Sequence, residues 1–305
     1  MAASSGNTRW RGVLLALWAA LTTLVIAGFT GPFHSVGDSL ALLRPQAGFM
    51  LLLCAISFLL LRAKRLAFCA AAFSAIAFGT IASGFVGPSQ NCRENCITLY
   101  QKNLLQHGWP RTALADDILA SDADIVTLQE VSAHNRDHMA NMFSAFPNQV
   151  TCRFGRDQNV AVLTRLPVVE GSEFCIKGRG MTGMKVVAPG GQQLWAVSLH
   201  LFWPYPYSQS GQAEKIAAII SELDAPVLIA GDFNMVPWGF SVQRIAQAAG
   251  NEPFGTIENT HSIGNWAVPL SIDNLLLPKG AQGSVELRPY FGSDHLGKLA
   301  RFQLH

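Results

Sequence analysis

The pattern of apolar and polar positions changes character at Cys92. Ahead of it, apolar residues run on without period through 13–30, 40–61 and 66–86, each close to the roughly 20 residues needed to cross a bilayer. Charged side chains there are confined to Arg9, Arg11, Asp38, Arg44, Arg62, Lys64 and Arg65. The pattern predicts an anchor of three transmembrane helices in residues 1–87. Two other readings stay open: Arg9 and Arg11 before an apolar core also suit a signal peptide, and Arg44 with Pro45 shortens the second run enough for a buried core helix. Arg44, at a span end, is expected to snorkel to the interface.

After a polar linker at 88–91 the apolar positions become short and periodic. Strand spacing covers 97–105, and helical spacing follows at 111–120. A short buried strand at 123–128 ends on Gln129-Glu130. Helices are expected at 133–146, 209–223 and 241–249, and strands at 159–164, 184–188, 193–200, 226–230, 271–277, 285–288 and 298–303. Hairpins are many and crossover repeats few. Residues 92–305 are therefore read as α/β (α+β), packed sheets flanked by helices rather than a doubly wound parallel sheet.

Composition agrees with two regimes, since 50% of the residues are hydrophobic and 14% charged, unusual for a wholly soluble chain. The formal net charge of +2 misleads, because from Cys92 onward acidic residues outnumber basic ones. No basic run appears there to neutralise the backbone of a long nucleic acid. Cys92, Cys96, Cys152 and Cys175 form an even set, allowing two disulfides in an oxidising compartment with three connectivities. Cys92 and Cys96 could instead begin a zinc site, although no second ligand cluster follows. Arg9 and Arg11 before the first run, with Arg62, Lys64 and Arg65 after the second, point to the cytoplasm. Three crossings would place the C-terminal domain outside, at the periplasmic or external face of a bacterial inner membrane.

Acidic and amide side chains gather at strand ends: Asn103, Glu130, Asp232, Asn234, Asp273 and Asp294. Each alone suits a turn or cap, but together they offer hard oxygen ligands of the kind Mg²⁺ takes. His200 and His295 stand in polar contexts where an imidazole can act as acid, base or phosphate donor.

Asn103, Leu128-Gln129-Glu130, His200-Leu201, Gly231-Asp232-Phe233-Asn234, Ile272-Asp273 and Ser293-Asp294-His295 occur in the order found in the endonuclease/exonuclease/phosphatase (DNase I-like) superfamily. Residues 161–167 resemble its strand between the metal glutamate and the first histidine. Pro237-Trp238 resembles its membrane-anchored bacterial members. The resemblance implies a four-layered α/β/β/α sandwich binding Mg²⁺ or Mn²⁺ through Glu130, with help from Asn103 and Asp294. It implies that Asp232 and Asn234 position or activate a water, that His295 oriented by Asp273 contacts the phosphate or acts as base, and that His200 stabilises the charge formed at phosphorus. The sequence departs from the pattern at Asn274, where a His is frequent, and at Gly297-Lys298.

Phe202-Trp203-Pro204-Tyr205-Pro206-Tyr207 follows His200. Trp203, Tyr205 and Tyr207 could stack on bases, rest on lipid headgroups, or pack on the domain's own surface. The expected activity is that of a metal-dependent phosphodiesterase or nuclease, a hydrolase tethered to the lipid bilayer, with no protein partner inferred. The alternatives are a lipid-directed phosphodiesterase or phosphatase, and a catalytically silent anchored binding protein.

Overall fold

The computed structural model describes residues 3–87, 92–263 and 268–304, so the expected linker at 88–91 lies outside the described residues. The chain opens with α1 (Ala3–Ala27), α2 (Ser35–Leu40), α3 (Arg44–Leu60) and α4 (Lys64–Gly79). Among the described residues two stretches, Arg9–Ala27 and Ser35–Leu60, are long and apolar enough to cross a membrane, which corrects the expectation of three. The third apolar run forms the 16 residues of α4, about 24 Å of helix at ~1.5 Å per residue. A 3₁₀ turn follows at Ala82–Phe85, where Gly84 approaches Ile257 too closely for a side chain.

Pro45 sits in the first turn of α3, where its missing N–H costs no helical bond. Arg44 does not snorkel. It is 5% exposed, donates to Gly28 O at 2.9 Å and Thr80 Oγ1 at 3.3 Å, and so pins the ends of α1 and α4 to the start of α3. Ser74 Oγ donates to Gly48 O at 2.8 Å where α3 and α4 pack. Cys54 is buried between helices, whereas Cys69 faces outward.

The second part comprises β1 (Ile97–Asn103), α5 (Thr112–Ala120), β2 (Ile125–Val131), α6 (Ala133–His138), α7 (Ala140–Ser144), β3 (Asn148–Arg153) and β4 (Asn159–Thr164). It continues through β5 (Phe174–Ile176), β6 (Met181–Val187), β7 (Gln193–His200), α8 (Gln209–Ile220), β8 (Val227–Asp232), α9 (Phe240–Ala249) and β9 (Asn251–Pro253). The chain ends with β10 (His261–Ile263), β11 (Val268–Leu270), β12 (Asp273–Pro278), β13 (Gln282–Arg288) and β14 (Gly297–Gln303). Two six-stranded mixed sheets, ordered β13-β14-β1-β2-β4-β3 and β5-β6-β7-β8-β12-β9, stack face to face. β1–β2 and β7–β8 are the parallel pairs.

Ile97, Leu99, Ile125, Ala196, Leu228 and Leu275 fill the space between the sheets. α5 and α7 cover the outer face of the first sheet, and α8 and α9 that of the second. The expected helix at 133–146 is divided at Met139 into α6 and α7. β3, β5, β9, β10 and β11 were not anticipated. Glu130 lies within β2, not after it.

Because side chains alternate in a strand, the inward positions can be followed up each strand to where they turn polar. Leu99 is succeeded by Gln101 and Asn103, Ile125 by Thr127 and Gln129, Ala196 by Ser198 and His200, and Ala230 by Asp232, all buried. The apolar interior thus gives way to a polar mouth at one end of the sandwich.

Cys92 is bonded to Cys96 and Cys152 to Cys175, which corrects the zinc alternative and selects one of the three connectivities. The second bond joins β3 to β5, the free edges of the two sheets. Its 23-residue separation corresponds to a loop-closure stabilisation of about 3 kcal/mol. The double variant Cys152→Ser/Cys175→Ser should therefore melt at a lower temperature by scanning calorimetry and unfold at lower denaturant, with wild-type secondary structure retained by circular dichroism.

Candidate active site

Asp232, the last residue of β8, is 1% exposed and is the point on which the mouth converges. Its Oδ2 accepts from Asn103 Nδ2 at 2.9 Å and lies 3.4 Å from His200 Nε2 and 3.8 Å from His295 Nε2. Its Oδ1 accepts the Asn234 backbone N–H at 2.8 Å. Parallel pairing sets His200 beside Asp232, and antiparallel pairing sets Asp273 opposite it. Three expected site residues from three strands are therefore neighbours by register.

Asn103 Nδ2 also donates to Glu130 Oε1 at 3.3 Å, and Glu130 Oε2 accepts from Gln106 N at 3.0 Å. Glu130 interrupts the β2–β4 ladder, in a bulge between Leu128 and Val131, with φ at +55°. Asn234 is likewise left-handed, φ +47°, and its Nδ2 donates to Leu201 O at 2.8 Å. Such backbone costs energy and persists where surrounding contacts over-determine it.

His295 Nδ1 donates to Asp273 Oδ2 at 2.8 Å, and Asp273 Oδ1 accepts from Gln101 Nε2 at 2.9 Å. Gln101 continues through Gln129 to Ser198, forming a buried amide and hydroxyl floor beneath the histidines. Burial opposes the charged imidazole of His295, but the charges of Asp273 and Asp232 outweigh it and raise its pKa to about 10. Burial opposes ionisation of Asp273 as well, yet the His295 charge and hydrogen bonds bring it down to about 2. At Asp232 burial prevails and the pKa is raised.

Asp294 stands apart from the other acids, its side chain 47% exposed and its Oδ1 3.9 Å from His295 Nε2. Among the described residues two sets of side chains could hold a metal ion, His261 with Asp294 and His295, and Asp232 with Asp273 and His295. Glu130 belongs to neither. His261 was missed by the sequence reading. Its ring stacks on His295 at 4.5 Å, its Nδ1 meets Asp294 O at 3.1 Å, and a β-bridge joins the two histidines. Trp203, Tyr205, Tyr207 and His261 line an open cavity of about 600 Å³ with Asp294 on its wall.

Two buried cations hold the mouth loops and were also missed. Arg111 donates to Asn135 Oδ1 at 2.7 Å, Leu105 O at 2.7 Å and Phe291 O at 3.3 Å, and to Leu104 O. Lys102 Nζ donates to His295 O at 2.5 Å and Pro289 O at 3.0 Å. Burial lowers the Lys102 amine to about 7 and the Arg111 guanidinium to about 10. Asn274 donates to Met235 O at 2.9 Å and Ile272 O at 3.1 Å. Position 274 therefore supports the loop after Asn234, and the departure there leaves the histidines in place. Lys298 is 4% exposed, held inside the sandwich.

The residues fit a divalent cation. Glu130, Asp232 and Asp294 are hard oxygen donors, and two buried atoms, Asn234 Oδ1 and His200 Nδ1, have no hydrogen-bond partner among the described residues.

Residues 103–295 match the Endonuclease/Exonuclease/phosphatase family. The fold is similar to that of an endonuclease/exonuclease/phosphatase from Bacteroides vulgatus, 15% identical with a TM-score of 0.57 over 69% of this chain and 99% of that one. It is also similar to truncated TDP2 of Caenorhabditis elegans, 17% identical, TM-score 0.54, covering 68% and 98%. A third similar structure is beta toxin of Staphylococcus aureus, 14% identical, TM-score 0.51, covering 67% and 99%. No curated protein matches the chain. At these identities the structural likeness establishes the fold.

The pKa of His295 gives a pH prediction for the metal-free protein. Its folded value of about 10 lies above the ordinary 6.5, so its stabilisation is complete below about pH 6.5 and is lost as pH rises toward 10. In chelator, ¹⁵N NMR should find the His295 imidazole doubly protonated at pH 8. Unfolding free energy should fall more steeply over that range in wild type than in His295→Gln.

Proposed function

Because the chain belongs to the endonuclease/exonuclease/phosphatase family, we propose that it is a divalent-metal-dependent phosphodiesterase in which water attacks phosphorus. The observation that carries this reading is Asp232, buried between the Nε2 atoms of two histidines and flanked by Asn103 and Asn234.

In this reading Glu130, with help from Asn103 and Asp294, would hold Mg²⁺ or Mn²⁺, which when bound would neutralise charge on the phosphoryl oxygens. Asp232 and Asn234 orient the attacking water, the unpartnered Asn234 Oδ1 being free to accept from it. His295, kept cationic by Asp273, donates to a phosphate oxygen. His200 stabilises the charge that grows at phosphorus. The Gln101–Gln129–Ser198 floor fixes these groups before substrate arrives, so little reorganisation remains for the reaction.

We assign residues 1–87 as a membrane anchor and 92–305 as the catalytic domain, on the outer side of a bacterial inner membrane. Three observations support this. Two stretches have spanning length, and α4 packs along α3 and returns the chain from the Arg62–Arg65 turn to the Arg44 end, where the domain begins. Arg9 and Arg11 near the start of α1, with Arg62, Lys64 and Arg65 at the α3–α4 turn, lie at the end of the helices opposite Arg44, and cations favour the cytoplasm. Both disulfides suit an oxidising compartment.

A membrane lipid as substrate is favoured over a long nucleic acid by where the anchor meets the domain. Trp238 Nε1 donates to Ala41 O at 2.8 Å, and Ile257 N to Gly84 O at 2.6 Å. Trp238 follows the carboxyl end of β8 and Ile257 that of β9, strands that run the same way because both pair antiparallel with β12. That end is the mouth. The exposed Tyr205 and Tyr207 and the half-exposed Trp203 lie at the same end, beside an acidic domain.

Full-length protein in detergent with Mg²⁺ should hydrolyse bis(p-nitrophenyl) phosphate and phospholipid in mixed micelles faster than DNA or RNA. Preference for DNA or RNA would reject the lipid assignment, and no turnover of any of the four would reject the phosphodiesterase. Glu130→Ala should lower kcat by about two orders of magnitude or more while the chain stays folded by circular dichroism; unchanged turnover would exclude Glu130 as the metal ligand. A reporter fused after His305 should be active only outside the cytoplasm, and cytoplasmic activity would reverse the assigned orientation.

A further inference from the structure

Asp38 belongs to the anchor, yet its carboxylate is 2% exposed and is spent on the catalytic domain. Oδ1 accepts from Phe240 N at 2.6 Å, and Oδ2 from Ser241 N at 3.0 Å and Ser241 Oγ at 2.5 Å. These are the first N–H groups of α9, whose own cap residue, Gly239, offers no side chain. A helix start leaves such donors unsatisfied, and an acid there also meets the positive end of the helix dipole. Here the cap comes from about 200 residues away, as the 202-residue separation of Asp38 from Phe240 shows. The approach is close enough that any side chain at Gly31 would strike Phe240, and Leu42 packs against the apolar cluster that α8 and α9 form with the second sheet.

We infer that Asp38 is a positioning residue for the hydrolytic site, and that the anchor is a working part of that site as well as its tether. The inference rests on the reading of Asn234 as the residue that orients water. α9 begins six positions after Asn234, and the intervening loop is held at both ends. At the site end, Gln209 Nε2 donates to Phe233 O at 3.1 Å and Asn234 O at 3.3 Å, while Asn274 Nδ2 donates to Met235 O at 2.9 Å. At the anchor end, Trp238 is bonded to Ala41 O and the first turn of α9 to Asp38. Between them Gly239 N donates to Val236 O at 2.8 Å, and Gly239 lies against Met235 too closely for a Cβ.

Asn234 occupies left-handed backbone, φ +47°, which needs support from both directions. Removing the Asp38 carboxylate uncaps α9 and leaves the Trp238 bond to Ala41 O as the remaining hydrogen-bonded hold at the anchor end. Asn234 then relaxes, and the water loses its orientation. Glu130, Asn103 and His200 lie on other strands, so substrate binding is retained.

The test uses the full chain in detergent with Mg²⁺ and bis(p-nitrophenyl) phosphate. Asp38→Ala should lower kcat about tenfold or more, in keeping with the cost of small misplacements, while KM stays within about twofold. Asp38→Asn, which keeps one accepting oxygen, should lie between. Ser74→Ala, which removes a bond to Gly48 O inside the anchor, should leave kcat unchanged. Hydrogen exchange should quicken at residues 233–241 in Asp38→Ala and stay slow at the ends of β1 and β2.

Wild-type kcat in a folded Asp38 variant, or an equal loss in Ser74→Ala, would overturn the inference. If the wild-type chain itself turns nothing over, the phosphodiesterase reading fails. Exchange at 233–239 then decides the positioning claim alone, and unchanged exchange there overturns it. Should Asp38→Ala fail to fold, Asp38→Asn supplies the same readings.

Discussion

The structure depends on keeping one carboxylate, Asp232, out of water. Removing a charge from solvent carries a penalty on the order of several kcal/mol unless it is surrounded by partners. Asn103, His200, His295 and the Asn234 N–H supply those partners from one strand of each sheet, β1 and β7, and from two loops. None of them can leave without stranding the acid. The packing of the two sheets and the electrostatics of the mouth are thus one problem, met where the inward-facing positions change from Leu and Ala to Gln, Ser and His.

Around that centre the protein uses buried cations in an uncommon way. Arg111 and Lys102 direct their donors mainly at backbone carbonyls, apart from one bond to Asn135. Carbonyl dipoles satisfy such groups without supplying a counter-charge, and burial lowers both from their ordinary values. The loops after β1 and β2 and before β14 are fixed by the same two residues. A shift in one is felt by the Asn103, Glu130 and His295 segments together, which explains how residues far apart in sequence keep hydrogen-bond distances.

Much of this was legible in the sequence because it is local. Strand ends carrying Asn103, Asp232 and His200 follow apolar runs whose alternation announces them, and the register then brings them together. What was not legible depends on partners. β3 alternates polar and half-buried residues and is a strand only because β4 pairs with it. Met139 divides a helix whose spacing reads as continuous. α4 stops at Gly79 because the chain must turn to meet Ile257. His261 sits in a short hairpin and gains meaning only from the stacked His295, while Arg111 looks like any helix-flanking cation until two loops and α6 converge on it. Asp38 read as a charge between spans, since nothing nearby in sequence hints at the helix it caps.

The docking of the N-terminal helices, the proposed anchor, on the mouth end has a consequence of reach. A domain on a loose tether sweeps a hemisphere and meets targets at any height within the tether's length. A domain fixed by Asp38, Ala41 and Gly84 has one height and one tilt, so its anchor acts as a ruler. Were these helices in a bilayer, as proposed, a phosphate at the ruled distance would meet the histidines by lateral diffusion, and an identical phosphate farther out would be invisible to them. Selectivity of that kind would be written in geometry.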